Sequence, residues 1–161
     1  MADLIIPVVV RFTLKNKYAV RNRINKRNLS SSRHALKVHH IGIVVKNIDD
    51  AAEYWKRLGC KIDHRQIVES QSVEVAFLSL GDIWLELIQP AAEKTPVTNF
   101  LEKRGEGLHH ICVQVDNIMR ATDGVRLIAD PAQAFGDSKV AFAYPKEFGK
   151  VLVEFVENPP Y

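Results

Sequence analysis

Apolar and polar residues alternate in short runs through most of residues 38–161, and two stretches break that rhythm for helical spacing. Such alternation predicts half-buried strands. The runs are rich in Val, Ile and Phe, and Ser79-Leu80-Gly81-Asp82 marks a turn between two of them. Within Asp49–Leu58, acids occupy the first turn, Ala51, Ala52, Tyr54, Trp55 and Leu58 recur at helical spacing, and Gly59 can end the helix. A second helix is expected over Pro96–Arg104. Thr95 is a natural N-cap, Pro96 suits the first helical position, Gly105 follows the last, and Val97, Phe100 and Leu101 form the apolar face. The pattern reads as α+β: a mostly antiparallel sheet with a helix packed behind each half.

The pattern is doubled. Val38-His39-His40-Ile41-Gly42-Ile43-Val44-Val45-Lys46-Asn47-Ile48 matches Leu108-His109-His110-Ile111-Cys112-Val113-Gln114-Val115-Asp116-Asn117-Ile118 at an offset of 70 residues. Trp84-Leu85-Glu86-Leu87-Ile88 matches Leu152-Val153-Glu154-Phe155-Val156 at an offset of 68. Val75-Ala76-Phe77-Leu78 matches Val140-Ala141-Phe142-Ala143 at an offset of 65. Each half therefore runs from a His-His strand through a short helix and two strands to a strand with a central Glu.

Strand alternation places His40 with Gly42 and Val44, and His110 with Cys112 and Gln114. His39 and His109 fall with the larger apolar residues, on the expected core side. Glu86 and Glu154 each interrupt an apolar strand, where a carboxylate needs a partner, and neither strand contains a Lys or Arg. A distant salt bridge would serve for one such Glu, and a lone strand histidine is usually a satisfied core residue. Two Glu and two His at equivalent places of a repeat call for a shared partner. One divalent cation satisfies all four, and two imidazoles with two carboxylates suit zinc, cobalt, nickel, manganese or iron(II).

Charge divides the chain. Residues 1–37 hold nine of the 22 Lys/Arg and, in Asp3, one of the 19 acids, so the basic balance belongs to this arm and the body is acidic. Nucleic-acid binding by the body is not expected. The arm is Arg-rich, Ser-rich and acid-poor around Arg21–Arg33, the composition of an organellar transit peptide, which would place the protein in the mitochondrial matrix. The favoured reading is an ordered surface arm with Ile5–Leu14 as an extra strand, in a cytoplasmic protein, with the transit peptide as the alternative. The 161 residues fit one ordinary domain over 38–161, behind the arm. No apolar run approaches the ~18–20 residues of a membrane-crossing helix, so no membrane partner is expected. Cys60 and Cys112 lack CxxC spacing, and a reduced compartment follows.

These segments resemble the vicinal oxygen chelate (glyoxalase/bleomycin resistance/dioxygenase) superfamily and, within it, methylmalonyl-CoA epimerases. The carrying residues are His39–Val45, Gln71 with Val75–Leu78, Leu80-Gly81-Asp82 with Leu85-Glu86-Leu87, Phe100–Cys112 and Val151–Glu154. The resemblance covers about residues 37–157, and its most specific stretch is Phe100–Cys112. It implies two βαβββ modules, about 38–90 and 108–157, joined by the helix at 96–104 and pairing into a curved mixed sheet around a metal-containing cleft. It implies His40, Glu86, His110 and Glu154 as ligands of one divalent ion (Co2+, Mn2+, Ni2+, Zn2+ or Fe2+). The implied reaction is epimerisation of a methylmalonyl-CoA-type thioester through a metal-stabilised enolate, with a base on one face of the carbon and an acid on the other. Glu154 matches one of these groups, and Glu74 is offered for the other. A small acyl-CoA or other small-molecule substrate and a homodimer are also implied. Lys139, Lys146 and Lys150 are candidates to meet CoA phosphates.

Three departures bear on the substrate. Only Met119–Asp123 separates Ile118 from Gly124, where the family has a longer helix. Phe135-Gly136-Asp137 replaces a loop histidine, and Tyr144-Pro145 replaces a His-Pro pair. Alternatives on the same scaffold are a lactoylglutathione-lyase-like isomerase, a dioxygenase that leaves Glu86 unligated, or a non-catalytic small-molecule-binding or resistance protein.

Overall fold

A computed structural model describes residues 36–134 and 136–161. The expectations for the N-terminal arm, transit peptide or extra strand, and for Phe135 lie outside the described residues. The order along the chain is β1 (Lys37–Val44), α1 (Ile48–Lys56), β2 (Ile62–Val68), β3 (Val73–Leu80), β4 (Ile83–Pro90), α2 (Pro96–Arg104), β5 (Gly107–Val115), α3 (Ile118–Ala121), β6 (Ala132–Gln133), β7 (Lys139–Ala143) and β8 (Val153–Glu157). These strands form one curled eight-stranded sheet in the order β2-β3-β4-β1-β5-β8-β7-β6.

The repeat in the sequence is a repeat in the sheet. In each half the His-His strand pairs in parallel with the Glu strand: β1 with β4, β5 with β8. The two His-His strands pair antiparallel at the centre. All four chemistry-bearing strands are therefore adjacent.

Helix α1 starts where Asn47 accepts from the Asp50 amide, and it ends at Lys56, before Leu58. Ile48, Ala51 and Ala52 are buried against the sheet with Trp55 beside them, whereas Tyr54 and Leu58, expected on the apolar face, are exposed. The tail of the expected helix is instead a turn around Gly59, whose φ of 88° suits glycine. Helix α2 is capped by the Thr95 hydroxyl accepting from the Thr98 amide and buries Val97, with Phe100 and Leu101 packed alongside. The second module is abridged: α3 is one turn and β6 has two residues, against nine residues in α1 and seven in β2.

Two apolar layers cover the outer face of the sheet. Ala76, Leu78, Leu85 and Leu87 meet α1 in the first half, and Ala141, Ala143, Val153 and Phe155 meet Ile118 in the second. Each large side chain so buried contributes about 1.5–3 kcal/mol. The opposite, cleft face carries Val44, Val73, Val75, Phe77 and Ile88 in one half and Cys112, Val140 and Val156 in the other. Among the described residues no helix is long and apolar enough to cross a membrane.

Candidate metal centre

Register explains how the four candidate ligands meet. His40 stands across β1–β5 from Cys112, and Gly42 from His110. Glu86 is level with Gly42 on β4, and Glu154 with Cys112 on β8. The imidazoles and carboxylates therefore converge over the two small residues, Gly42 and Cys112.

The convergence is tight. His40 Nε2 lies 3.0 Å from His110 Nε2. Glu154 Oε2 lies 2.9 Å from the first and 3.2 Å from the second. Glu86 Oε2 lies 3.4 Å from each. Donor atoms ~2.0–2.2 Å from a common ion stand roughly 3.0–3.5 Å from one another. The spacing and the N2O2 donor set thus fit a divalent ion. A second observation agrees: Glu154 Oε2 is buried and makes no hydrogen bond of good geometry. Such an orphaned acceptor is costly unless a cation meets it.

The electrostatics of these side chains without an ion are strongly perturbed. Burial pushes the Glu154 carboxyl up, but the neighbouring His110 and His40 imidazoles outweigh it and hold the group far below the usual carboxylate range. Glu86 goes the other way: burial dominates and raises it, with His40 and His110 only partly offsetting. Burial disfavours the charged form of His40, yet Glu86 and Glu154 together raise it. His39 is lowered by burial, and His109 is pushed down to about 4 by burial and then by His110. Opposed shifts on clustered groups in a cleft are characteristic of functional sites.

Three expectations are revised. His39 and His109 do not face the outer core; both line the cleft beside His40 and His110. The reason is in the register. From Val38 to His40 the partner strand advances one residue, Val113 to Cys112, so His39 is an extra, bulged residue. From Gly42 to Ile43 the partner advances from His110 to Leu108, so His109 is the extra one. A bulge re-aims a side chain that simple alternation sends to the other face.

Glu74, offered as the second proton carrier, sits between Val73 and Val75, which face the cleft, and it points to the outer face. Its Oε1 accepts from Arg65 Nε at 2.7 Å, and the same guanidinium binds Asp49 at 2.7 Å. Among the described residues lining the cleft, the only side-chain carboxylates are those of Glu86 and Glu154. Cys112 is fully buried, and burial followed by Glu154 pushes its thiol far up.

One participant has no signal in the sequence. After β8, Asn158 turns the chain with φ 54°, and Pro159, Pro160 and Tyr161 line the cleft. The Tyr161 ring stacks on His64 at 4.1 Å and 3°, with Phe77 and Trp84 edge-on. Its main-chain oxygen faces His39 Nε2 at 2.9 Å. No local pattern in Asn158–Tyr161 announces a return to the site.

Comparison with known proteins bears on the family and the fold. The Glyoxalase/Bleomycin resistance protein/Dioxygenase superfamily description matches residues 39–142. The chain is 41% identical over 128 residues to "Uncharacterized protein YqjC" of Bacillus subtilis (strain 168), covering 75% of this chain and 91% of that one. It is 32% identical over 126 residues to the mitochondrial methylmalonyl-CoA epimerase of Mus musculus, covering 73% and 71%. A solved structure of methylmalonyl-CoA epimerase in complex with methylmalonyl-CoA and NH4+ superposes with a TM-score of 0.71 at 30% identity, covering 76% of this chain and 94% of that one. Duplicated sheet, matched segments and relatives agree that this chain belongs to the Glyoxalase/Bleomycin resistance protein/Dioxygenase superfamily, with methylmalonyl-CoA epimerases among its relatives.

Proposed function

We propose that the chain is a metal-dependent epimerase of a methylmalonyl-CoA-type acyl thioester. The observation that carries this reading is the meeting of His40, Glu86, His110 and Glu154 at one point of the cleft, in a chain 32% identical to a named epimerase.

The carbon between a thioester and a carboxylate loses its proton only if the resulting enolate is stabilised as it forms. A divalent ion held by those four residues supplies the charge that does so, and cobalt, manganese, nickel, zinc and iron(II) all suit the donor set. The chain's own part is to exclude water and to handle the proton. Val75, Phe77, Val140, Phe142 and Val156 line the cleft with hydrocarbon, which strengthens every electrostatic interaction inside it. Glu154 Oε2 is committed toward the two imidazoles, and in this proposal its Oε1 takes the substrate proton. Glu74 has no part in the reaction. The acyl-CoA substrate and homodimerisation belong to the same proposal, and sedimentation velocity checks the second.

The test is proton exchange by NMR, with methylmalonyl-CoA in deuterated buffer and protein reloaded with cobalt or manganese. The expected result is metal-dependent loss of the C2 proton signal, abolished in His110→Ala. Protein carrying one equivalent of metal and showing no exchange would remove this substrate class.

A further inference from the structure

Each proposed ligand histidine has its ring bound by the histidine before it. His40 Nδ1 lies 2.8 Å from His39 Nδ1, and His110 Nδ1 lies 2.9 Å from His109 Nδ1. Two Nδ1 atoms at that distance share one proton, so one ring donates and the other accepts. The chemistry of the site decides which. A neutral imidazole carries one N–H, and a ligating nitrogen carries none. With Nε2 of His40 and His110 turned to each other and to both carboxylates, the protons of both rings belong on Nδ1. His39 and His109 must then accept at Nδ1.

An independent contact agrees. If His39 accepts at Nδ1, its own proton is on Nε2, and that atom faces an acceptor, the Tyr161 main-chain oxygen at 2.9 Å. The chain of donors runs in one direction: His40 Nδ1–H to His39 Nδ1, and His39 Nε2–H to the Tyr161 main-chain oxygen.

Resting on the metal reading above, we infer that His39 and His109 are positioning residues. Each fixes the tautomer and ring angle of the next histidine, so that both Nε2 lone pairs face one cation. Regular strand geometry sends neighbouring side chains to opposite faces and forbids such a pair. The two bulges, one at each first histidine, make it possible in both modules.

The choice of imidazole as outer acceptor has an electrostatic consequence. Two glutamates and a divalent ion sum to neutral. A carboxylate in the outer position would add a negative charge beside a reaction that builds another. A neutral imidazole orients the ligand and leaves that balance alone.

The experiment is cobalt titration against a competing chelator, with the visible absorption of cobalt as a second readout. It uses the full chain and His39→Leu, His109→Leu, His39→Asn and His109→Asn. Leucine fills much of the space without an acceptor; asparagine restores an oxygen near the former Nδ1. The expected result is a loss of about 10–100-fold in affinity for each Leu variant. Recovery to within about threefold of wild type is expected for each Asn variant, with circular dichroism of the metal-free proteins unchanged. Wild-type affinity in the Leu variants would overturn the inference, and so would equal losses in Leu and Asn variants, which mark a packing role. Failure of the wild-type chain itself to bind cobalt would instead remove the metal reading, and this inference with it.

Discussion

Gly42 faces the imidazole of His110 so closely that a Cβ on residue 42 would stand 2.7 Å from its Nε2 and nearer still to its Cε1. The glycine is needed for space: it makes the hollow in which the His110 ring lies, since real Cβ atoms do not come so near. Gly42→Ala is expected to push His110 off its position and lower cobalt affinity at least tenfold, with the fold retained by circular dichroism. Cys112 is the repeat counterpart, opposite His40. Cys112→Ala removes atoms instead of adding them, and cobalt affinity within about threefold of wild type is expected. Equal affinity in Gly42→Ala and wild type would show that the ring has room elsewhere.

Glu154 lies in the cleft, and Glu74 is paired with Arg65 on the outer face. Glu154→Gln keeps the size of the side chain and removes its basicity, and the exchange rate of the metal-loaded protein is expected to fall about 10²-fold or more. Glu74→Gln is expected to leave the rate unchanged within about twofold. Its cost is confined to the partly exposed pair with Arg65, about 0–1 kcal/mol in a denaturant titration. A large loss of exchange in Glu74→Gln would put that residue back in the reaction.

Acid should release the ion early. In the metal-free protein the first influence on His40 is burial, which opposes its charge, but Glu86 and Glu154 raise it above the ordinary 6.5. Proton and cation compete for the same Nε2. As pH falls, His40 therefore gains its proton before an ordinary histidine would, and metal affinity is expected to decline from above pH 6.5 downward. Isothermal titration between pH 8 and 5.5 checks this, and an affinity flat to pH 6 would contradict it.

Tyr161 holds an aromatic cluster together over the first half of the cleft. Tyr161→Ala removes the stack on His64 and the edge contacts with Phe77 and Trp84. Each aromatic pair contributes about 0.5–1.5 kcal/mol beyond simple burial. The expected result is a lower Tm, with Tyr161→Phe close to wild type. The outer face gives a comparison: Leu87 is fully buried against α1, and Leu87→Ala is expected to cost about 2–5 kcal/mol.

Much of this site was legible in the chain because it is written twice. Apolar alternation marks strands wherever one face is buried, and the caps at Thr95 and Gly105 bound α2 as the structure has it. Duplication picks His40, His110, Glu86 and Glu154 out of the background, since a second copy at the same register is hard to explain by packing alone. The short spacing after Ile118 already shows that the second module lacks a full helix.

Other features were decided only when strands paired. Alternation sends His39 and His109 to the outer face, and the structure turns them into the cleft, because a bulge is a mismatch between two strands and neither strand records it alone. Glu74 depends on the same arithmetic. One residue of register separates a cleft carboxylate from one bound to Arg65 on the outer face. Tyr161 reaches His39 across 122 residues of sequence, a contact made by the path of the chain after Asn158. The sequence by itself determined the main strands, helix α2, the duplication and which four side chains meet, because these follow from local periodicity and from residue chemistry. Which side each remaining group faces was left to the tertiary structure, because facing is a property of two strands in register.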